Sequence, residues 1–249
     1  LAAAAVAAAL LPAVASATPV LPDATYGASL TTNYGLTIQN FTAPGTYTLD
    51  GASTTLAGFP VPSLTGSVTS ANTDDAYAYA SVWSVIDYAY VVDGPLDGIQ
   101  VPLFVAVTLE ASASGAAANN ASAGFRLSPY PPPLSNPLFN ILVASRNPTT
   151  PNSFSDTLPF NTISGRVGSV HLQVYSIAYA LGGGASNAFA DPYIFIDPDF
   201  LLNNPGYSVI VSPGIGNIPE PETYAMLLVG LGLSGFVARR RTANYPTSA

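Results

Sequence analysis

Hydrophobic and polar positions alternate with a period of two through the middle of the chain. The clearest instance is Ile99 to Glu110, where Ile99, Val101, Leu103, Val105, Val107 and Leu109 take every odd position. This predicts a strand with one face in a core, because successive side chains of an extended backbone point to opposite sides. Just before it, Ala76 to Val92 places Tyr77, Tyr79, Trp83 and Val85 on one parity and Ile86, Tyr88, Tyr90 and Val92 on the other. A change of parity inside one strand predicts a bulge or bend near Val85-Ile86. Asp93-Gly94-Pro95 and Asp97-Gly98 supply the turn between the two.

Further strands are predicted at Tyr34 to Asn40, Thr46 to Asp50, Gly66 to Ser70, Phe139 to Arg146, Val167 to Ala180, Tyr193 to Ile196 and Tyr207 to Val211, separated by Pro, Gly and Asn clusters. No stretch of the body sustains an apolar period of 3.6, and the alanine-rich Ala111 to Ala123 is interrupted by Gly115 and serines. Many short strands with turn-rich connections predict an all-β fold, an antiparallel β-sandwich with jelly-roll-like or immunoglobulin-like layering. The proline-dense Pro129 to Pro151 predicts an extended connection, either a surface loop or a divider between two sub-sheets.

The two ends of the chain break this pattern. Leu1 to Leu11 is alanine-rich and apolar, and Ala15-Ser16-Ala17 fits the small-residue cleavage site of a secretory signal peptide, with Ala15 and Ala17 as the recognised positions. At the other end Thr223 to Ala238 carries no charge and is followed by Arg239-Arg240-Arg241. As a helix that run would span roughly 24 Å, just short of a bilayer core, and the arginines would stay on the cytoplasmic side. The expected organisation is a signal peptide at 1–17, truncated at its start, a β-sandwich ectodomain at 18–212 and a linker at 213–222. A transmembrane helix with its Arg cluster follows at 223–241, and then a cytoplasmic tail at 242–249.

Composition narrows the chemistry. The chain of 249 residues has a net charge of −8, no cysteine and no lysine, and its only basic groups before the tail are Arg126, Arg146 and Arg166. Disulfides and cysteine metal sites are excluded, and so acidic a body repels the phosphate backbone of nucleic acid.

Among candidate residues, Asp191, Asp197 and Asp199 offer oxygen ligands of the kind Ca²⁺ takes, but their spacing is not that of an EF-hand; Asp-Pro turns capping both ends of one strand are the preferred account. Asp74-Asp75 and the pair Asp93 and Asp97 read as turn acids. His171, the one histidine, shares a strand parity with Gln173 and Tyr175; with no Gly-x-Ser-x-Gly elbow to partner it, it reads as a surface or edge residue. Glu110 is the one glutamate ahead of the tail, where glycoside hydrolysis calls for two carboxylates. The tyrosines and Trp83 could stack on sugar rings, but core or cross-strand pairing is the expected use. Gly230-x-Gly232-x-x-Gly235 matches a dinucleotide fingerprint in letters alone, with no strand-turn-helix unit around it.

Pro219-Glu220-Pro221, a short glycine-containing apolar run and the cluster Arg239, Arg240 and Arg241 together resemble the PEP-CTERM sorting signal of Gram-negative bacteria, whose C-terminal domain also carries an ice-binding-protein label. The eight residues after the arginines are more than the pattern usually shows. The resemblance implies an exosortase as partner, a membrane-embedded transpeptidase that cleaves near the Pro-Glu-Pro segment. It also implies a membrane-anchored precursor released to the cell surface. Prolines keep that segment extended and reachable. The expectation is an exported, non-enzymatic surface or matrix protein without cofactor. A carbohydrate-binding module, with exopolysaccharide as partner, is the second reading, and a secreted hydrolase the third.

Overall fold

The computed structural model describes residues 19–32, 37–70, 78–115, 119–128, 137–146, 151–180 and 183–216. Their alternating residues form thirteen strands and one helical turn. In chain order these are β1 (Thr25–Thr32), β2 (Thr37–Phe41), β3 (Gly45–Leu49), β4 (Ala52–Ala57), β5 (Ser63–Ser70), β6 (Tyr79–Asp93) and β7 (Gln100–Gly115). Then come β8 (Asn120–Ser128), β9 (Phe139–Arg146), β10 (Asn152–Ile163), β11 (Val167–Tyr179), β12 (Gly184–Ile196), α1 (Pro198–Asn203) and β13 (Ser208–Val211). Two antiparallel sheets face each other. One runs β2-β1-β6-β11-β8-β9, with β13 also on β6, and the other β10-β7-β12-β5-β4-β3.

The odd aliphatics of β7, Val101 to Leu109, are buried in one core with Leu30, Ile86, Phe125, Leu127 and Leu172 of the facing sheet. Many other core positions hold alanine, among them Ala28, Ala52, Ala121, Ala123, Ala188 and Ala190. Small side chains let the sheets approach closely, and at Gly66 even a methyl group would touch Val82 and Val174 at 3.3 Å. Three hydroxyls bond from sheet to sheet: Ser84 with Thr54 at 2.8 Å, Ser176 to the Gly66 carbonyl at 3.1 Å, and Ser186 to the Asn120 carbonyl.

The structure corrects two expectations. No bulge interrupts β6: its pairing with β11 is continuous from Tyr79↔Tyr179 to Val91↔Val167, and with β1 from Ser81↔Thr31 to Asp87↔Thr25. The even positions of β6 face the core throughout, the small polar Ser84 among them, while Trp83 and Val85 stand on the outer face. The turn at 94–99 leads to the next strand as expected, and it carries the chain from one sheet to the other. Asp191-Pro192 is not a turn but lies inside β12, which begins at Gly184. Pairing with β5 stops at Ala190↔Leu64, so the missing Pro192 N–H falls where β12 has no second neighbour. Asp197-Pro198 does end that strand: Asp197 caps α1 by accepting from the Asp199 N–H at 2.9 Å, with Pro198 as the first helical residue.

The connections at 58–62, 94–99 and 164–166, the approach to β9 and α1 all lie at one end of the sandwich. The last residues return there. After β13, Ser212 N–H bonds the Ala89 carbonyl and Ala24 N–H the Pro213 carbonyl. Tyr26 Oη donates to the Gly214 carbonyl at 2.8 Å, and Gly216 N–H to the Gly58 carbonyl. A Cβ at Gly58 would stand 2.1 Å from the Gly214 oxygen, so this close approach requires glycine. The chain thus enters and leaves the body side by side.

Among the described residues no helix is long and apolar enough to cross a membrane. Ala15 and Ala17, the Pro219-Glu220-Pro221 segment, the run 223–238 and Arg239 to Arg241 lie outside the described residues, as do Asp74-Asp75.

Candidate functional site

Two outer surfaces gather chemistry-bearing side chains. On the seven-stranded sheet the central strands β6, β11 and β8 bring Asp87, His171 and Arg126 into one cross-strand row, with Asn140 of β9 beyond. His171 Nδ1 meets Asp87 Oδ1 at 2.6 Å, its Nε2 meets Gln173 Oε1 at 3.3 Å, and Arg126 Nε donates to Asn140 Oδ1 at 3.1 Å. The hydrogen bond to Asp87 holds the imidazole pKa above its ordinary value, against opposing burial and the Arg126 charge. His171 is therefore on the surface, as expected, but on an interior strand rather than at an edge. A shallow depression of about 110 Å³ lies between His171, Gln173, Arg126, Asn140 and Leu142.

The same face carries the aromatics. Trp83, 45% exposed, stands across from Tyr175, and Tyr79 across from Tyr179 with ring centroids 5.9 Å apart. Burial raises the Tyr175 pKa, with Tyr179 and Tyr79 adding to it. Tyr88 and Tyr90, on the opposite parity, are core residues. The aromatic alternation thus divides between a core row and an outer row of cross-strand pairs.

On the six-stranded sheet a groove of about 590 Å³ opens above Phe189, with Glu110, Asn187, Ser112, Ser153 and Thr65 around it. Register explains the gathering: Thr65 pairs with Phe189, Phe189 with Glu110, and Glu110 with Ser153, so four strands deliver one row. Ser67 Oγ donates to Asn187 Oδ1 at 2.8 Å and fixes that amide. Further along this face Tyr193, Phe195 and Phe104 stack with centroids 5.5 Å apart. An aromatic floor ringed by hydroxyl, amide and carboxylate can hold a polar ligand that has one apolar face. No feature near Glu110 in the sequence marks this groove, since its partners come from residues as far apart as Thr65 and Phe189.

The carboxylates weighed for Ca²⁺ are not assembled. Asp191 sits mid-strand on the outer face, where burial raises its pKa, while Asp197 is occupied as a helix cap. Among the described residues no group of three or more His, Cys, Asp or Glu could hold a metal ion.

The described body is thus a two-sheet antiparallel sandwich with polar and aromatic outer faces. Residues 217–241, immediately after it, match the PEP-CTERM protein-sorting motif, which includes Pro219, Glu220, Pro221 and Arg239 to Arg241. The motif implies an exported protein, a membrane-anchored precursor and processing by an exosortase. No curated protein matches the chain. Solved structures similar to it include the enzymatically active domain of tailspike protein 4 of bacteriophage CBA120, at 13% identity and a TM-score of 0.28, covering 69% of this chain. This chain spans only 19% of that one. The infectious bursal disease virus Gt strain structure is similar at 14% identity and a TM-score of 0.18, covering 88% of this chain and 68% of that one.

Proposed function

We propose that this chain is an exported, non-catalytic surface protein whose sandwich is the cargo and whose tail is the address. The observation that carries this reading is the sorting motif at 217–241, which begins directly after Gly216, whose N–H bonds the Gly58 carbonyl. The signal at 1–17 directs export, the run 223–238 holds the precursor in the bilayer, and cleavage near Pro219-Glu220-Pro221 frees the body to the surface of a Gram-negative cell. The test is the mass of the mature C-terminus in a host with and without an exosortase. A shortened chain only with the enzyme, and a full-length one when Pro219, Glu220 and Pro221 are all replaced by alanine, is the expected outcome. An identical mass in both hosts overturns it.

A second reading, binding of a neutral exopolysaccharide, is favoured by the groove over Phe189. A sugar ring can lay its C–H face on the aromatic while Glu110, Asn187 and Ser153 take its hydroxyls. Glu110 is the one carboxylate lining the groove among the described residues, which favours binding over hydrolysis. Retardation of the protein in polysaccharide-containing gels, lost in Phe189→Ala, is the expected result. Unchanged mobility in a panel of neutral glycans sets this reading aside.

A further inference from the structure

Nine large apolar side chains are exposed among the described residues, and five of them, Phe59, Leu96, Ile99, Leu138 and Leu202, project from connections at a single end of the sandwich. Leu202 and Phe59 are both 78% exposed and Leu96 is 62% exposed. These loops are tied to the body. The Leu96 carbonyl accepts from Ser164 Oγ at 2.8 Å and from Tyr207 Oη at 3.3 Å, and Ser164 Oγ accepts from the Ile99 N–H. Phe200 of α1 packs edge-on against Tyr207. Apolar tips held out by fixed loops lose little entropy when a partner covers them. A cluster of this kind marks an interaction surface.

The chain itself says what the partner is. It leaves the body at Gly216, where an added Cβ would stand 2.7 Å from the Phe59 ring, so the exit adjoins the apolar end. Only six residues separate Gly216 from Thr223, the first of the uncharged run, so the seven steps between them reach at most about 25 Å even when fully extended. We infer that the apolar end is a lipid-docking surface, which rests on a neutral bilayer interface while the tail is inserted. This rests on the membrane reading of residues 223–238. Charge selects the lipid: Asp93, Asp97, Asp197 and Asp199 lie at this end with Arg166, so an anionic headgroup layer repels it and a zwitterionic one does not.

The native chain has no cysteine, so single sites can be labelled cleanly. Full-length Leu96→Cys, Leu202→Cys, Leu142→Cys and Gly230→Cys would each carry an environment-sensitive fluorophore in phosphatidylcholine vesicles containing a lipid nitroxide, placed near the headgroup for the first three positions and deep in the acyl chain for position 230. Leu142, exposed on the outer face of the seven-stranded sheet, is the reference, and position 230 reports insertion of the tail. Far-ultraviolet circular dichroism of each labelled chain verifies the β fold. The expected result is quenching about threefold stronger at 96 and 202 than at 142, as for side chains at the headgroup level. It weakens when about a third of the lipid is anionic and salt is low. Quenching at 230 with equal values at 96, 202 and 142 overturns the docking surface alone. Absence of quenching at 230 overturns the membrane reading of the tail, and the docking surface with it.

Discussion

His171 and Asp87 face each other across β11 and β6, with Nδ1 and Oδ1 2.6 Å apart, and Arg126 occupies the next position in the same row. The bond favours the imidazolium, so the folded-state pKa lies above the ordinary value of about 6.5. Stability from this pair is fully present below that ordinary value and is lost as pH rises through the raised one. The urea midpoint should therefore fall on going from pH 6 to pH 8, and His171→Gln should remove that part of the fall. Because Asp87 is half exposed, the effect should stay within about 1 kcal/mol.

Asp191 bears on pH in its own range. Burial raises its carboxyl pKa, so the folded state holds the proton more readily than the unfolded chain does, and this group costs stability as pH rises through its shifted value. Asp191→Asn should raise the thermal midpoint at pH 7 by about 2 °C and remove this fall in stability as pH rises above the ordinary carboxyl range. A calorimetric pH series of both proteins measures it.

The buried pair between sheets calls for a double-mutant cycle. Thr54 Oγ1 donates to the Thr65 carbonyl at 2.7 Å, which leaves its oxygen to accept from Ser84 Oγ at 2.8 Å. Thr54→Val strands the Ser84 hydroxyl and should cost about 1–3 kcal/mol. Ser84→Ala leaves Thr54 bonded and should cost less. Combining the two should recover most of the loss, as read by chemical denaturation.

Tyr90 is fully buried, and its hydroxyl has no hydrogen-bond partner among the described residues. Tyr90→Phe should leave stability unchanged or raise it by about 1 kcal/mol. Gly168 lies beneath the same ring, with the nearest ring atom 2.4 Å from where a Cβ would stand. Gly168→Ala should cost about 1–3 kcal/mol by overpacking. The thermal midpoint of Gly168→Ala should fall, while that of Tyr90→Phe holds or rises.

These packing details explain what the sequence disclosed. Where core positions are large and aliphatic, as in β7 and β11, alternation alone located the strands, and Phe139 to Arg146 coincides with β9. β1, β4 and β8 went unread because their inward residues include Ala28, Thr32, Ala52, Thr54, Ala121 and Ala123, which scarcely differ in hydropathy from the serines and threonines beside them. β10 was hidden by its own exposure: as an edge strand it buries little besides Phe160 and Thr162. The parity shift in β6 was a false signal, produced by an outer Trp83 and an inner Ser84 exchanging the usual roles. The sorting tail was legible because its order of motif, apolar run and arginines is local. The groove over Phe189 was not, since only strand register assembles it.

The bond from Tyr26 to the carbonyl of Gly214 spans 188 positions of chain. A nascent polypeptide emerging from a ribosome or a translocation channel can arrange its middle strands early, but the seam beside its first strand waits for nearly the last residue of the body. Until then the flank of β6 beyond β1 is uncovered and Val209 has no place in the core. Closure is thereby timed to completion of the body, so a carrier that needs an unfolded passenger would find this one open until the last strand of the sandwich has passed.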